Sequence, residues 1–266
     1  MTGDDKFDGH ARIDVEDRII TVTMTRPDKL NAISPAITAA FWEATRRLAD
    51  DDSLGCMIIA ATGRYFTAGI DLKASAKQRT DESDAMSSRP GWQYRRAYRE
   101  HHLLYDEFEN LEKPIVLAAQ GTCLGAGLEM AMSCDFRFCT PTAEWAVPEI
   151  RLGVLPGSGG ASRLARIVGP AWAKYLAMAG RQIDAEKALR IGLIHDIFPA
   201  ETFAEDVRTF CLDLCELPAE AVGMTKTAID IAADIADRSI QRQVDRLVNT
   251  ILVHSDEHKE ALNRYR

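Results

Sequence analysis

Glu129 is the side chain around which a reaction can be built. It lies in the run Gln-Gly-Thr-Cys-Leu-Gly-Ala-Gly-Leu-Glu-Met-Ala-Met-Ser-Cys-Asp, residues 120–135. The preceding Pro114–Ala119 is a short apolar run that reads as a buried strand. Leu128–Ser133 has good helix formers and no breaker. Between them, Gly121, Gly125 and Gly127 mark a tight strand-to-helix turn where backbone comes close to something. A helix N-terminus presents unpaired N–H groups and partial positive charge, so it suits an oxygen that becomes negative during a reaction. A carboxylate in that first turn could share the pocket with such an oxygen. Taken alone, the same residues also suit a packing turn followed by a solvated Glu.

A second stretch of the same design shifts the balance toward chemistry. Cys56–Ala61 reads as a buried strand and feeds Thr-Gly-Arg-Tyr-Phe-Thr-Ala-Gly-Ile-Asp-Leu-Lys, residues 62–73. This is again a strand, a glycine turn and the start of a helix. Two such turns on successive strands could aim two backbone N–H groups at one point, which is the geometry of an oxyanion hole.

The remaining elements must position these turns. Ala11–Val15 and Ile19–Thr25 alternate like a hairpin with its turn at Glu16-Asp17-Arg18. Ser34 and Pro35 read as N-cap and first position of a helix through Ala49. Ala74–Arg96 is a polar excursion expected to cover a pocket, in which Trp92, Tyr94 and Tyr98 suit either lining a slot or anchoring the loop. His101 and His102 are expected to open a helix reaching Asn110, and adjacent histidines face different sides, which argues against a shared metal. Asp135–Thr140 and Glu144–Val147 resemble two short strands around a turn at Pro141, with Pro148-Glu149-Ile150 following. The glycine-rich run ending in Gly159-Gly160 lacks the Gly-Lys-Ser/Thr ending of a phosphate loop. From Gly169 onward the pattern is helical to near Tyr265, interrupted by boundary residues Asp184, Gly192 and Asp196.

Composition excludes several classes. A chain of 266 residues with 46% hydrophobic content can bury a full core. A net charge of −8 argues against a nucleic-acid partner. No apolar run approaches membrane-spanning length, and the first residues lack a basic-then-apolar leader. The six cysteines contain no Cys-x-x-Cys pair, so reduced thiols in a cytoplasmic protein are expected.

Together the motifs resemble the crotonase (enoyl-CoA hydratase/isomerase) superfamily. The resemblance rests on Pro27–Ala32, Phe66–Leu72, Gly121–Asp135, Pro148–Gly153 and Pro156–Gly160, in order and at family spacing. It implies an α/β spiral of ββα units over residues 1–198 and a C-terminal helical region, 199–266, that builds trimers or hexamers. It also implies an acyl-CoA substrate, with coenzyme A belonging to that substrate and no separate cofactor or metal. Carried over residue by residue, the backbone N–H groups of Ile70 and Ala126 would hold the thioester oxygen. Ala126 stands where the family usually has Gly, which is tolerable if φ there is negative. Lys29, Leu30, Ala32, Ala68, Asp71, Leu72 and Lys73 would line the CoA channel. Glu129 and Glu149 match the hydratase pair, with Glu149 favoured to exchange a proton with C2. The alternative within the superfamily is a double-bond isomerase, which often needs only the carboxylate at position 149. An RNA-binding homologue would need a basic face, and no Ser/His/Asp set supports a protease.

Overall fold

The computed structural model describes residues 6–72 and 90–263. Strands β1 (Ala11–Glu16) and β2 (Ile19–Met24) pair antiparallel. Asp17 and Arg18 both have positive φ, 48° and 68°, which is the primed two-residue turn whose twist matches a hairpin. The sheet then continues in parallel through β3 (Cys56–Ala61), β5 (Ile115–Ala119), β7 (Phe136–Cys139) and the short β10 (Asp196–Ile197). A second sheet takes β4 (Tyr65–Thr67), β6 (Thr122–Leu124) and β8 (Glu144–Ala146) in parallel, with β9 (Ile183–Asp184) antiparallel at its edge. The chain therefore steps three times from the first sheet to the second, and each step leads into helical structure.

Helix α1 (Pro35–Asp50) begins where expected, with the Ser34 side chain accepting from the Ile37 N–H. Its face of Ile37, Phe41, Ala44 and Leu48 is buried against one side of the first sheet. Helix α2 (Pro90–Asn110) packs beside it, with Phe108 edge-on to Phe41 at 6.3 Å. Every residue of β5 is buried, as a strand covered on both faces requires. The other face of that sheet is covered by Phe203, Val207, Cys211 and Cys215, all carried by one helix spanning Phe203–Cys215.

Several expectations need correction. His101 and His102 lie inside α2, which starts at Pro90; the polar composition of its first turns hid the helix. By contrast, the two short strands expected around a turn at Pro141 are present as β7 and β8, and they enter different sheets because each pairs in parallel with the strand one repeat earlier. The helical tail contains the two-residue strands β9 and β10, and its last helix is two, Arg238–Leu252 and Asp256–Asn263. Lys73, the excursion up to residue 89 and Tyr265 lie outside the described residues.

Buried Asn31 fastens the loop after β2 to the turn after β3. Its Oδ1 accepts from the Arg26 N–H at 2.9 Å, and its Nδ2 donates to Thr62 O at 2.7 Å and Tyr65 O at 2.9 Å. Its own carbonyl accepts from Thr67 Oγ1 at 2.7 Å. It also sits at φ 49°, where Asn is tolerated better than residues without a short polar side chain. Asn31→Ala would leave buried polar groups unpaired and keep the positive φ. The expected cost is about 2–4 kcal/mol, read as a lower denaturant midpoint in urea; an unchanged midpoint would refute this role.

Candidate active site

The first turn is built from β4 onward. The Gly69 N–H donates to Thr67 Oγ1 at 3.1 Å, and Gly69 has φ 91°, which L side chains rarely adopt. Beyond it Ile33 N donates to Gly69 O at 2.8 Å and Asp71 N donates to Ile33 O at 3.0 Å. This parallel bridge uses the groups on either side of the Ile70 N–H and leaves that N–H facing away from Ile33. The Arg26 guanidinium closes the loop with a 2.8 Å ion pair to Asp71, largely shielded from solvent.

The second turn follows β6. Gly125 has φ 56° and ψ −127°, and the short helix α3 (Ala126–Ala131) begins immediately after it. The left-handed conformation thus falls on Gly125, and Ala126 is helical, so its methyl group carries no backbone strain. As the first residue of α3, Ala126 has no intrahelical acceptor for its N–H. Among the described residues neither the Ile70 nor the Ala126 N–H donates to any acceptor. The two turns are in contact. A Cβ placed on Gly69 would lie 3.0 Å from Leu124 O and 3.4 Å from Ala126 N. At Gly127 a Cβ would collide with the Thr67 methyl group, so glycine there is what allows the approach.

Glu129, one turn into α3, is fully buried. Its Oε1 accepts from the backbone N–H of Ser158 at 2.7 Å and of Gly160 at 3.0 Å. The glycine-rich run is therefore an anion cradle after all, at the start of helix α4 (Gly160–Ala173), but its anion is a side chain of this protein. A Cβ on Gly160 would come within 2.6 Å of that Oε1. Arg163 holds the cradle: its Nη1 donates to Ser158 O at 2.9 Å, while its Nη2 reaches Asp106 at 2.8 Å and Glu109 at 2.6 Å.

Glu149 comes from a 3-10 turn, Pro148–Leu152, directly after β8. Its Oε1 lies against the second turn, 2.8 Å from where a Cβ on Gly125 would be. Oε2 of Glu129 and Oε2 of Glu149 are both buried and have no hydrogen-bond partner among the described residues. Burial, together with the nearby Glu149 charge, pushes the Glu129 carboxyl up to about 7, against the opposing pull of the Ser158 and Gly160 N–H groups and Arg163. Burial likewise raises Glu149.

Of the residues singled out from sequence, Ile70, Ala126, Glu129 and Glu149 gather around the two turns. Ala68 N donates to Leu30 O at 2.9 Å, and the Arg26 guanidinium donates to both Ala32 O and Asp71, so the loop of Leu30 and Ala32 is fastened to the one that carries Ala68, Ile70 and Asp71. Lys29 and Leu72 are exposed at its outer side. Sequence reasoning missed Ser158, Gly160 and Arg163 as supports of Glu129. The glycine run was the available signal, but only tertiary structure reveals what it holds. Among the described residues no three His, Cys, Asp or Glu side chains are grouped to hold a metal.

The mutual influence of the two acids has a measurable sign. Removing the Glu149 charge in Glu149→Gln takes away one cause of the raised Glu129 value. Carbon-13 NMR titration of Glu129 should then find its midpoint below about 7. An unmoved midpoint would show that the two groups do not sense each other.

The chain is similar to known proteins along most of its length. A Mycobacterium bovis protein named probable enoyl-CoA hydratase echA8 is 32% identical over 220 residues, 83% of this chain and 80% of that one. A carnitinyl-CoA dehydratase of Salmonella arizonae is 32% identical over 248 residues, 91% of this chain and 90% of that one. The crystal structure of an enoyl-CoA hydratase from Bacillus anthracis shares the fold, with a TM-score of 0.86 at 24% identity over 96% of this chain and 95% of that one. The profile of the enoyl-CoA hydratase/isomerase family matches residues 14–266, and the chain belongs to that family.

Proposed function

We propose that this protein is an enoyl-CoA hydratase, a lyase that adds water reversibly and on one face to the double bond of a 2-enoyl-CoA thioester. The observation that carries the reading is the pair of buried carboxyl oxygens, Glu129 Oε2 and Glu149 Oε2, left without protein partners beside the two contacting turns. In this reading the Ile70 and Ala126 N–H groups receive the thioester oxygen. Drawing charge onto that oxygen makes C3 electrophilic and stabilises an enolate-like transition state; one such donor is worth about 3 kcal/mol.

Water addition needs a proton removed from water and another delivered to C2. Two acids whose proton affinities are set by burial and by each other can divide that work. Glu129 has Oε1 occupied by two N–H donors, so Oε2 is the atom that meets the water. Glu149, resting against Gly125, exchanges the proton with C2. An isomerase would need proton shuttling at one carboxylate, whereas here two buried carboxyls are supported. Leu30, Ala32, Ala68, Asp71, Leu72, Lys73 and the exposed amine of Lys29 would line the route of CoA, which the substrate brings with it, with no other cofactor.

We propose further that the chain acts as a homotrimer or a pair of trimers in the cytoplasm. In support, Ile240, Val244, Leu247 and Ile251 recur at helical spacing on Arg238–Leu252, yet no residue of that helix is buried. The six cysteines are all free, and no helix among the described residues is long and apolar enough to cross a membrane.

Glu129→Gln and Glu149→Gln should each lower turnover by orders of magnitude while binding of a CoA ester survives. Loss of the conjugated thioester's ultraviolet absorbance reports hydration, and product analysis separates it from isomerisation. Near-normal turnover in either variant would remove the proposal.

A further inference from the structure

Arg163 has no part in the reaction scheme above, yet its surroundings hold the guanidinium in one place. The side chain rises from the first turn of α4 and is buried. A Cβ on Gly159 would fall 2.0 Å from its Nη1, and Gly159 has φ 85°. Only glycine therefore suits the residue between the two N–H donors that serve Glu129. Burying a guanidinium is costly unless its donors are met. Nη1 donates to Ser158 O, and Nη2 to Asp106 and Glu109, which lie three residues apart on α2.

These contacts converge on one residue. Ser158 is gripped at its carbonyl by Arg163, while its N–H rests on Glu129 Oε1. The same stretch of α2 reaches the helix that carries Glu129, because Tyr105 OH donates to Ala126 O at 3.1 Å. Residues 105, 106 and 109 thus hold α3 directly and the loop that receives Glu129 through Arg163. With Oε1 fixed in this way, Oε2 is the oxygen left without a protein partner. Charge acts alongside geometry. Glu149 favours the protonated form of Glu129, whereas the Ser158 and Gly160 N–H groups and Arg163 favour the ionised form. Arg163 is itself faced by Asp106 and Glu109, with Arg166 on the far side of Glu109.

We propose that Arg163 is a positioning residue for the Glu129 carboxyl. Clamped to α2 by Asp106 and Glu109, it keeps the Ser158 N–H on Oε1, leaves Oε2 to exchange the proton and steadies the ionised form. The kinetic consequence rests on the hydratase reading; the effect on Glu129 itself does not.

Carbon-13 NMR titration of Glu129 in Arg163→Met separates this role from plain support of the fold, because the two give opposite signs. Loss of the positive charge and of a fixed Ser158 donor both favour the protonated carboxyl, so the midpoint should rise above about 7. An arginine that only braces the fold would leave a looser, wetter site, and the midpoint would fall toward the ordinary 4.5. A fall, or an unmoved midpoint, overturns the proposal. Arg163→Lys keeps the charge, but one ammonium cannot span Ser158 O and the two acids as a planar fork does. Its midpoint should rise less than that of Arg163→Met. If the Met variant does not fold, the Lys variant decides: a rise supports the proposal, and a fall or no change overturns it. In both variants kcat for a 2-enoyl-CoA should drop, by up to about a hundredfold, while KM changes little. A raised KM with kcat intact would overturn the positioning role. If the unaltered protein hydrates no ester, the hydratase reading fails by itself, and the titration still decides what Arg163 does to Glu129.

Discussion

A carboxyl group held wholly inside the protein by two backbone N–H donors is the constraint from which the rest follows. Glu129 cannot be solvated where it is, so the chain must supply its partners from elsewhere. The Ser158 and Gly160 amides do so at 2.7 and 3.0 Å, and burial, with a second carboxyl nearby, brings its proton affinity near neutrality. The glycines follow from the same crowding. Gly160 leaves room for the carboxyl, Gly125 for Glu149, and Gly127 for the approach of the first turn. Each replaces a side chain that would occupy space needed by a polar atom or a neighbouring backbone.

This arrangement costs stability near neutral pH. Glu129 in the folded chain holds its proton up to about 7, whereas an ordinary glutamate releases it near 4.5. Between those values the folded state binds more protons than the unfolded one, so stability falls as pH rises, by up to about 1.4 kcal/mol per unit from this group. The core must offset that loss. The fully buried β5 and the apolar face of α1 provide part of the compensation.

Much of this was legible in the sequence where the signal is local. Ser34-Pro35 starts α1, Cys56–Ala61 is β3 to the residue, and the glycine turns after β4 and β6 sit where their spacing puts them. The question about Ala126 also had a local answer, since Gly125 takes the positive φ. What stayed hidden depends on partners distant along the chain. The Ser158–Gly160 run lacks the ending of a phosphate loop and so gives no sign from sequence that it cradles an anion, whose residue lies 29 positions before Ser158. β9 and β10 are two residues each, too short to carry a period, and exist only because β8 and β7 are there to pair with. The first turns of α2 are too polar to announce a helix, and Arg163 reads as one more surface arginine until its contacts with Ser158, Asp106 and Glu109 are seen.

The account stands on whether the two turns act together on one carbonyl oxygen. Isotope-edited infrared spectroscopy of a 2-enoyl-CoA, labelled at its thioester carbonyl and bound to the Glu149→Gln variant, observes that oxygen directly. Two converging N–H donors must weaken the C=O bond and move its stretch to lower frequency than in solution. A bound ester whose carbonyl vibrates at its solution frequency would show that the Ile70 and Ala126 amides do not receive it.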